Sequence, residues 1–281
     1  MRSAKGWLLM MTMMLIGQAS QHVSAQPRAA AAMPAHSYAD LADLTDSADL
    51  VLRARLRKLI RVEDERAPGL RPGEGRFYIR ANTQALLAGS SPLGELLTYL
   101  VDLPLDERGR PPALKKRDAL IFARPVPGLP GALQLVARDA QVLHDERTEA
   151  TVRSILTQKL SPGAPARVTG VREIIHVPGN LAGQGETQVF LDTEDGSAAS
   201  ITVQHRPGQP AAWGASFSEL VADIGRPPRK NTLVWYRLAC FLPNNLSPAA
   251  NLSSNPASRR QALADYRFVL GALGVCQRNR S

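Results

Sequence analysis

"DLVLRARLRKLIRV", Asp49 to Val62, alternates apolar and cationic side chains. Leu50, Leu52, Ala54 and Leu56 face one way while Arg53, Arg55 and Arg57 face the other, which is the two-residue period of a half-buried strand. The following "APGLRPGEG" (67–75) supplies Pro and Gly for a loop, and "RFYIRANTQALLAG", Arg76 to Gly89, is its strand partner. Three more strand-like runs come next: Gly94 to Pro104, Arg117 to Val126 and Gly131 to Ala140. Five short strands with Gly/Pro-rich joints predict a small antiparallel barrel or sandwich, and an OB-like barrel is the preferred version. In front of it Ser37 caps a short helix with Tyr38, Leu41 and Leu44 on one side, ended by Asp46-Ser47.

The period changes after residue 145. Val152, Ile155, Leu156 and Leu160 form a helical stripe within Arg147 to Leu160, and "SPGAPA" ends it. A four-stranded antiparallel meander follows, at Arg167 to Val177, Glu186 to Asp192, Ala198 to His205 and Ala212 to Phe217, with Asp195-Gly196 as a hairpin signal. Two helices close the chain. "NTLVWYRLACFLP" sets Val234, Trp235, Leu238 and Phe241 at helical spacing before Pro243, and "NPASRRQALADYRFVLGALG" has Asn255 as cap, Pro256 at its first position, a stripe of Leu263, Tyr266, Leu270 and Leu273, and Gly274 as terminator. The expected fold class is therefore α+β: a β-barrel-like domain over 37–145, then an α+β domain over 146–281.

The first 25 residues read as a secretory signal peptide: Arg2 and Lys5, an apolar core from Trp7 to Ile16, and a polar stretch ending Val23-Ser24-Ala25. Residues 26–36 read as a flexible leader, and no later run is long and apolar enough for a membrane span. The protein is expected to be periplasmic or secreted. Cleavage lowers the formal charge from +9 to +7, and 28 of the 34 cationic residues are Arg. Export, together with 5% aromatics and no stacking residues interleaved with the charge, argues against nucleic acid as a partner. Cys240 and Cys276 are an even pair in an oxidising compartment and are expected to form one disulfide.

Candidate sites are few. In "HVPGNLAGQGETQVFL", His176 to Leu191, Pro178-Gly179-Asn180 makes a tight turn and Gly183 and Gly185 add freedom, so the stretch reads as a hairpin loop. His176, Asn180, Glu186 and Thr187 are its ligand-contacting candidates, with Glu186 as the group that could meet His176 across the hairpin mouth. No nucleophile motif supports catalysis, since Gly214-Ala215-Ser216-Phe217-Ser218 lacks the second glycine of a nucleophile elbow. No metal-ligand spacing appears around His176, His205, Asp192, Glu194 or Asp195, and no cofactor is implied. Arg53, Arg55 and Arg57 recur about every 6.6 Å along one strand face. That spacing suits an anionic polymer or glycolipid, or else a solvated face partnered by Glu63, Asp64 and Glu65. Asn-Leu-Ser occurs at Asn245 and Asn251, a pattern without meaning in a bacterial periplasm.

At "REIIHVPGNLAGQGETQVFL" (172–191) and "TLVWYRLACFLP" (232–243) the chain resembles a group of exported proteins of alphaproteobacteria to which no activity is attached. The N-terminal half is similar to secreted OB-like modules of the netrin and metalloprotease-inhibitor kind, without their cysteines. These resemblances imply a compartment and a fold. The role expected from the sequence is a non-catalytic envelope binding or scaffold protein, with an envelope protein or anionic glycolipid as partner. A hydrolase without a recognisable motif and a protease inhibitor are the alternatives.

Overall fold

Strand β1 (Leu50–Arg61) buries Leu50, Leu52, Ala54 and Leu56 to 1% exposure or less, as its alternation requires. It pairs antiparallel on one side with β2 (Glu74–Ala88) and on the other with β4 (Asp118–Pro125), and β2 pairs with β3 (Leu96–Pro104). Three register shifts leave Leu87 and Gln84 of β2 and Arg57 of β1 as extra residues, and such bulges bend and twist the strand pair as closure requires. The resulting sheet runs β3-β2-β1-β4-β5, where β5 is Leu133–Leu135, and a parallel bridge from Thr98 to Ala132 makes it a nearly closed barrel. Its interior holds Leu52, Leu56, Phe77, Ile79, Leu97, Tyr99 and Ile121 among other apolar side chains. The computed structural model describes residues 36–90, 94–218 and 226–280. The expected signal peptide, and the leader as far as residue 35, lie outside them.

Gly89, which ends β2, has φ +117°, and a Cβ there would stand 2.4 Å from Leu50 Cδ2 and 2.7 Å from the Asp49 carbonyl oxygen. Only glycine fits that exit. The strand read over 131–140 shrinks to β5, and a further short strand that the sequence reading did not contain, β6 (Gln141–Leu143), follows it; the two pair with different parts of β4. The turn between them leaves Arg138 free to reach Glu74 (3.0 Å) and the Gly69 carbonyl (2.6 Å), while Asp139 receives the guanidinium of Arg280 (2.7 and 3.0 Å).

The helices and the second sheet follow the sequence periods closely. Helix α1 (Tyr38–Ser47) has a reciprocal capping box between Ser37 and Asp40, and α2 (Glu146–Lys159) is capped by Asp145. The antiparallel sheet β10-β9-β8-β7 comprises β7 (Val168–Pro178), β8 (Gly185–Thr193), β9 (Ala199–His205) and β10 (Ala212–Ser216). Helix α3 (Leu233–Ala239) precedes α4 (Pro256–Leu273), whose cap is Asn255 and whose terminator Gly274 has φ +71°. Cys240 and Cys276 form a disulfide beyond the ends of these two helices.

Beside the barrel's own interior, a second core spans position 145, where the period changes. A single apolar cluster joins Val51, Leu120 and Phe122 from the barrel strands to Leu44, Val152, Ile155, Tyr236 and Tyr266 from the helices and Ile174, Val189 and Val203 from the second sheet. The buried face of α4 is also rotated from the stripe expected of it. Ala262, Asp265, Tyr266, Val269 and Leu273 are buried, whereas Leu263 and Leu270 lie at its margin. An aspartate thus occupies a position where the helical period calls for an apolar side chain.

Candidate functional site

Pairing across β7, β8 and β9 decides which polar groups meet. His176 stands opposite Thr187, and Gly185 lies between Pro178 and His205 in the neighbouring strands. Because side chains two apart on a strand share a face, His176, Thr187, Gly185 and His205 all look towards α4. The loop before α4 fixes the outer strand: Leu252 N–H donates to the Ile174 carbonyl (3.0 Å) and His176 N–H to Ser253 Oγ (3.0 Å). Helix α4 then brings Asp265 and, one turn earlier, Gln261 over the sheet.

Asp265 is the centre of the arrangement, with only 4% of its side chain exposed. Its carboxylate accepts hydrogen bonds from the Thr187 hydroxyl, from His205 Nε2 (2.8 Å) and from Gln261 Nε2 (2.9 Å). Since the Thr187 proton goes to Asp265, Thr187 Oγ1 must accept from His176 Nδ1, 2.8 Å away. The donor directions fix both neutral tautomers. His176 carries its proton on Nδ1 and leaves Nε2 as a lone-pair acceptor; His205 carries its proton on Nε2 and leaves Nδ1 bare. Neither bare nitrogen has a hydrogen-bond partner among the described residues. The two rings lie edge to face, 6.3 Å between centroids.

Gly185 makes room for this. A Cβ at that position would lie 2.7 Å from His176 Cε1 and 2.9 Å from its Nε2, so the ring packs where any other residue would displace it. A pocket of about 340 Å³ opens here, lined by His176, His205, Gln184, Asn255, Ser258 and Gln261 together with Pro178, Gly183 and Ala257. A larger groove of about 510 Å³ runs along the barrel between β3 and β5 past Tyr78, Leu100, Leu133 and Leu135. Its charged members, Arg76, Asp102 and Arg138, are already engaged in ion pairs, Arg76 with Asp102 and Arg138 with Glu74.

Burial lowers the pKa of His176 below its ordinary 6.5; the nearby Asp265 carboxylate pulls the other way and His205 adds to the lowering. His36 is lowered too, again first by burial. A histidine that resists protonation when folded contributes stability above its unfolded pKa, and that contribution is lost as pH falls from about 6.5 through the folded value. The urea midpoint is therefore expected to drop between about pH 7.5 and 5, above the range in which ordinary carboxylates titrate. A His36→Gln variant should keep part of the drop and a His36→Gln/His176→Gln variant should lose most of it. A midpoint that stays level over that interval contradicts the assignment.

The structure distributes the sequence candidates unevenly. His176 and Thr187 come together, but Glu186 lies opposite Val177 on the other face and accepts from Gln188 Nε2 (2.6 Å), so it does not meet His176. Asn180 is exposed at the hairpin tip. The Arg row is largely neutralised. Arg53 binds Glu149 (3.0 Å), which also contacts His144 and Arg153, and Arg55 forms a fork with Asp118 (2.7 and 3.1 Å). Arg57 has no ion-pair partner among the described residues. The acids expected to partner the row do not do so: Asp64 pairs instead with Arg61 (3.3 Å). Asn251, in the second Asn-Leu-Ser, is buried and donates to the Arg259 carbonyl.

Asp265 and Gln261 were not among the sequence candidates. The available signal was an acid falling within the apolar stripe of a helix with a carboxamide four residues before it. Among the described residues, no three His, Cys, Asp or Glu side chains are placed to hold a metal ion, and no helix is long and apolar enough to cross a membrane. No protein-family model matches the chain, and no curated protein is significantly similar to it.

Proposed function

We propose that this protein is an exported binding protein of the cell envelope whose ligand enters the pocket between β7–β9 and the start of α4. The observation that carries this reading is the pair of imidazoles held by one buried carboxylate, both rings lining the pocket and each keeping one nitrogen without a partner among the described residues. Fixing two rings in defined tautomers costs conformational freedom, and preorganised polar groups in a concave site are what ligand recognition requires. The paired state of Arg53 and Arg55 moves the binding face away from the Arg row and weakens the case for an anionic glycolipid on that row. For the N-terminal half we infer an OB-like barrel, because the order β3-β2-β1-β4-β5 with a parallel contact between β3 and β5 is the connectivity such barrels use.

One observation favours a second reading, an enzyme that uses His176 as general base. The Asp265–Thr187–His176 chain keeps Nδ1 protonated and Nε2 free, and the lowered pKa keeps that nitrogen unprotonated near neutrality. No serine or cysteine side chain hydrogen-bonds to either imidazole among the described residues, so binding is the stronger reading.

Native mass spectrometry after incubation with the small-molecule fraction of a bacterial envelope extract tests both. The wild type is expected to retain one adduct per chain, and Ala257→Trp, which fills the pocket from an exposed position, to retain none. Conversion of an extract component, lost in His176→Gln, would instead establish the enzyme. The absence of both adduct and conversion would overturn both readings.

A further inference from the structure

Resting on the binding reading, we infer that the pocket takes an uncharged polyhydroxylated ligand, a saccharide unit of one or two rings, and that His176 and His205 accept hydrogen bonds from its hydroxyl groups. The lining decides the class. It contains imidazole, carboxamide and hydroxyl groups from His176, His205, Gln184, Asn255, Gln261 and Ser258, and no Lys, Arg, Asp or Glu.

An anion has no favourable place there. The two bare imidazole nitrogens present lone pairs, which repel anionic oxygens and accept protons from donors. The start of α4 adds only one open donor, the neutral Ala257 N–H, because Pro256 has no N–H and the N–H groups of Ser258 and Arg259 already go to Asn255 (both 2.9 Å). A cation fares no better. The carboxylate bonded to the lining residues His205 and Gln261, Asp265, is not itself in the lining and is occupied by them and Thr187. Hydroxyl groups suit the site on both counts: they donate to the imidazoles and exchange hydrogen bonds in either direction with the carboxamides. The 340 Å³ available is at the lower end of the ~300–1,000 Å³ typical of small-molecule sites.

The test is an NMR titration of the histidine ring protons with three kinds of probe: neutral mono- and disaccharides, inorganic phosphate and a simple polyamine. A saccharide is expected to shift the His176 and His205 signals saturably, without shifting them in Ala257→Trp. Its affinity should fall about tenfold or more once the imidazoles protonate, since an imidazolium no longer accepts. A saturable response to phosphate or polyamine with none to saccharides would overturn the ligand class and leave the binding reading standing. Absence of any response, together with an envelope-extract adduct of charged composition, would do the same. If the extract also yields neither adduct nor conversion, the binding reading fails with it.

Discussion

Asp265→Ala is expected to lower the melting temperature by about 6–12 °C, which for a chain of this size corresponds to about 3 kcal/mol. The cost comes from what is left behind. Thr187 is fully buried and its hydroxyl loses its acceptor, so the His176–Thr187 hydrogen bond loses the group that orients it. His205 and Gln261 are partly exposed and recover part of their loss from water entering the pocket. Asp265→Asn should lie between the wild type and the alanine variant, because an amide oxygen still accepts while its NH2 faces a donor. Calorimetry on the three proteins decides the matter. Melting temperatures within about 2 °C of one another would show that water replaces the carboxylate at little cost, and the fixed tautomers would lose their support.

Reducing Cys240–Cys276, or replacing both by alanine, is expected to cost about 4 kcal/mol, since the two are 36 residues apart and the bridge restricts the unfolded chain over that loop. The melting temperature should fall by about 8–16 °C. Here the bond also holds a tail in place. Beyond Cys276, Arg278 forks onto Asp43 (2.7 and 3.2 Å), Asn279 N–H reaches the Asp40 carboxylate (3.1 Å), and Arg280 forks onto Asp139. The tail thereby connects the end of α4 to α1 and to the turn between β5 and β6. Equal thermal melts with and without reductant, with the thiols verified free, would show that those ion pairs hold the tail unaided.

Several elements were legible because their causes are local. The alternation of Leu50 to Leu56, the cap residues Ser37 and Asn255, the terminator Gly274 and the Asp195-Gly196 turn act within a few residues of themselves, and each appears where its pattern places it. Elements whose limits depend on remote partners were read less well. The run 131–140 was read as one strand, yet only Leu133–Leu135 is strand, and Arg138 and Asp139 beyond it turn to Glu74 and Arg280. Similarly, the α4 stripe was displaced because the burial of Asp265 depends on the polar groups facing it.

The sequence by itself determined the order and type of nearly every element, the α+β class and the pairing of the two cysteines, since backbone preference and hydrophobic period are properties of neighbouring residues. Only the tertiary structure decided the site. Asp265 meets Thr187 across 78 residues and His205 across 60, while Arg53 meets Glu149 across 96. A free carboxylate and a saturated one, or a free Arg row and a neutralised one, are spelled identically in the chain. Their difference arises when packing faces are chosen and buried polar groups must find partners.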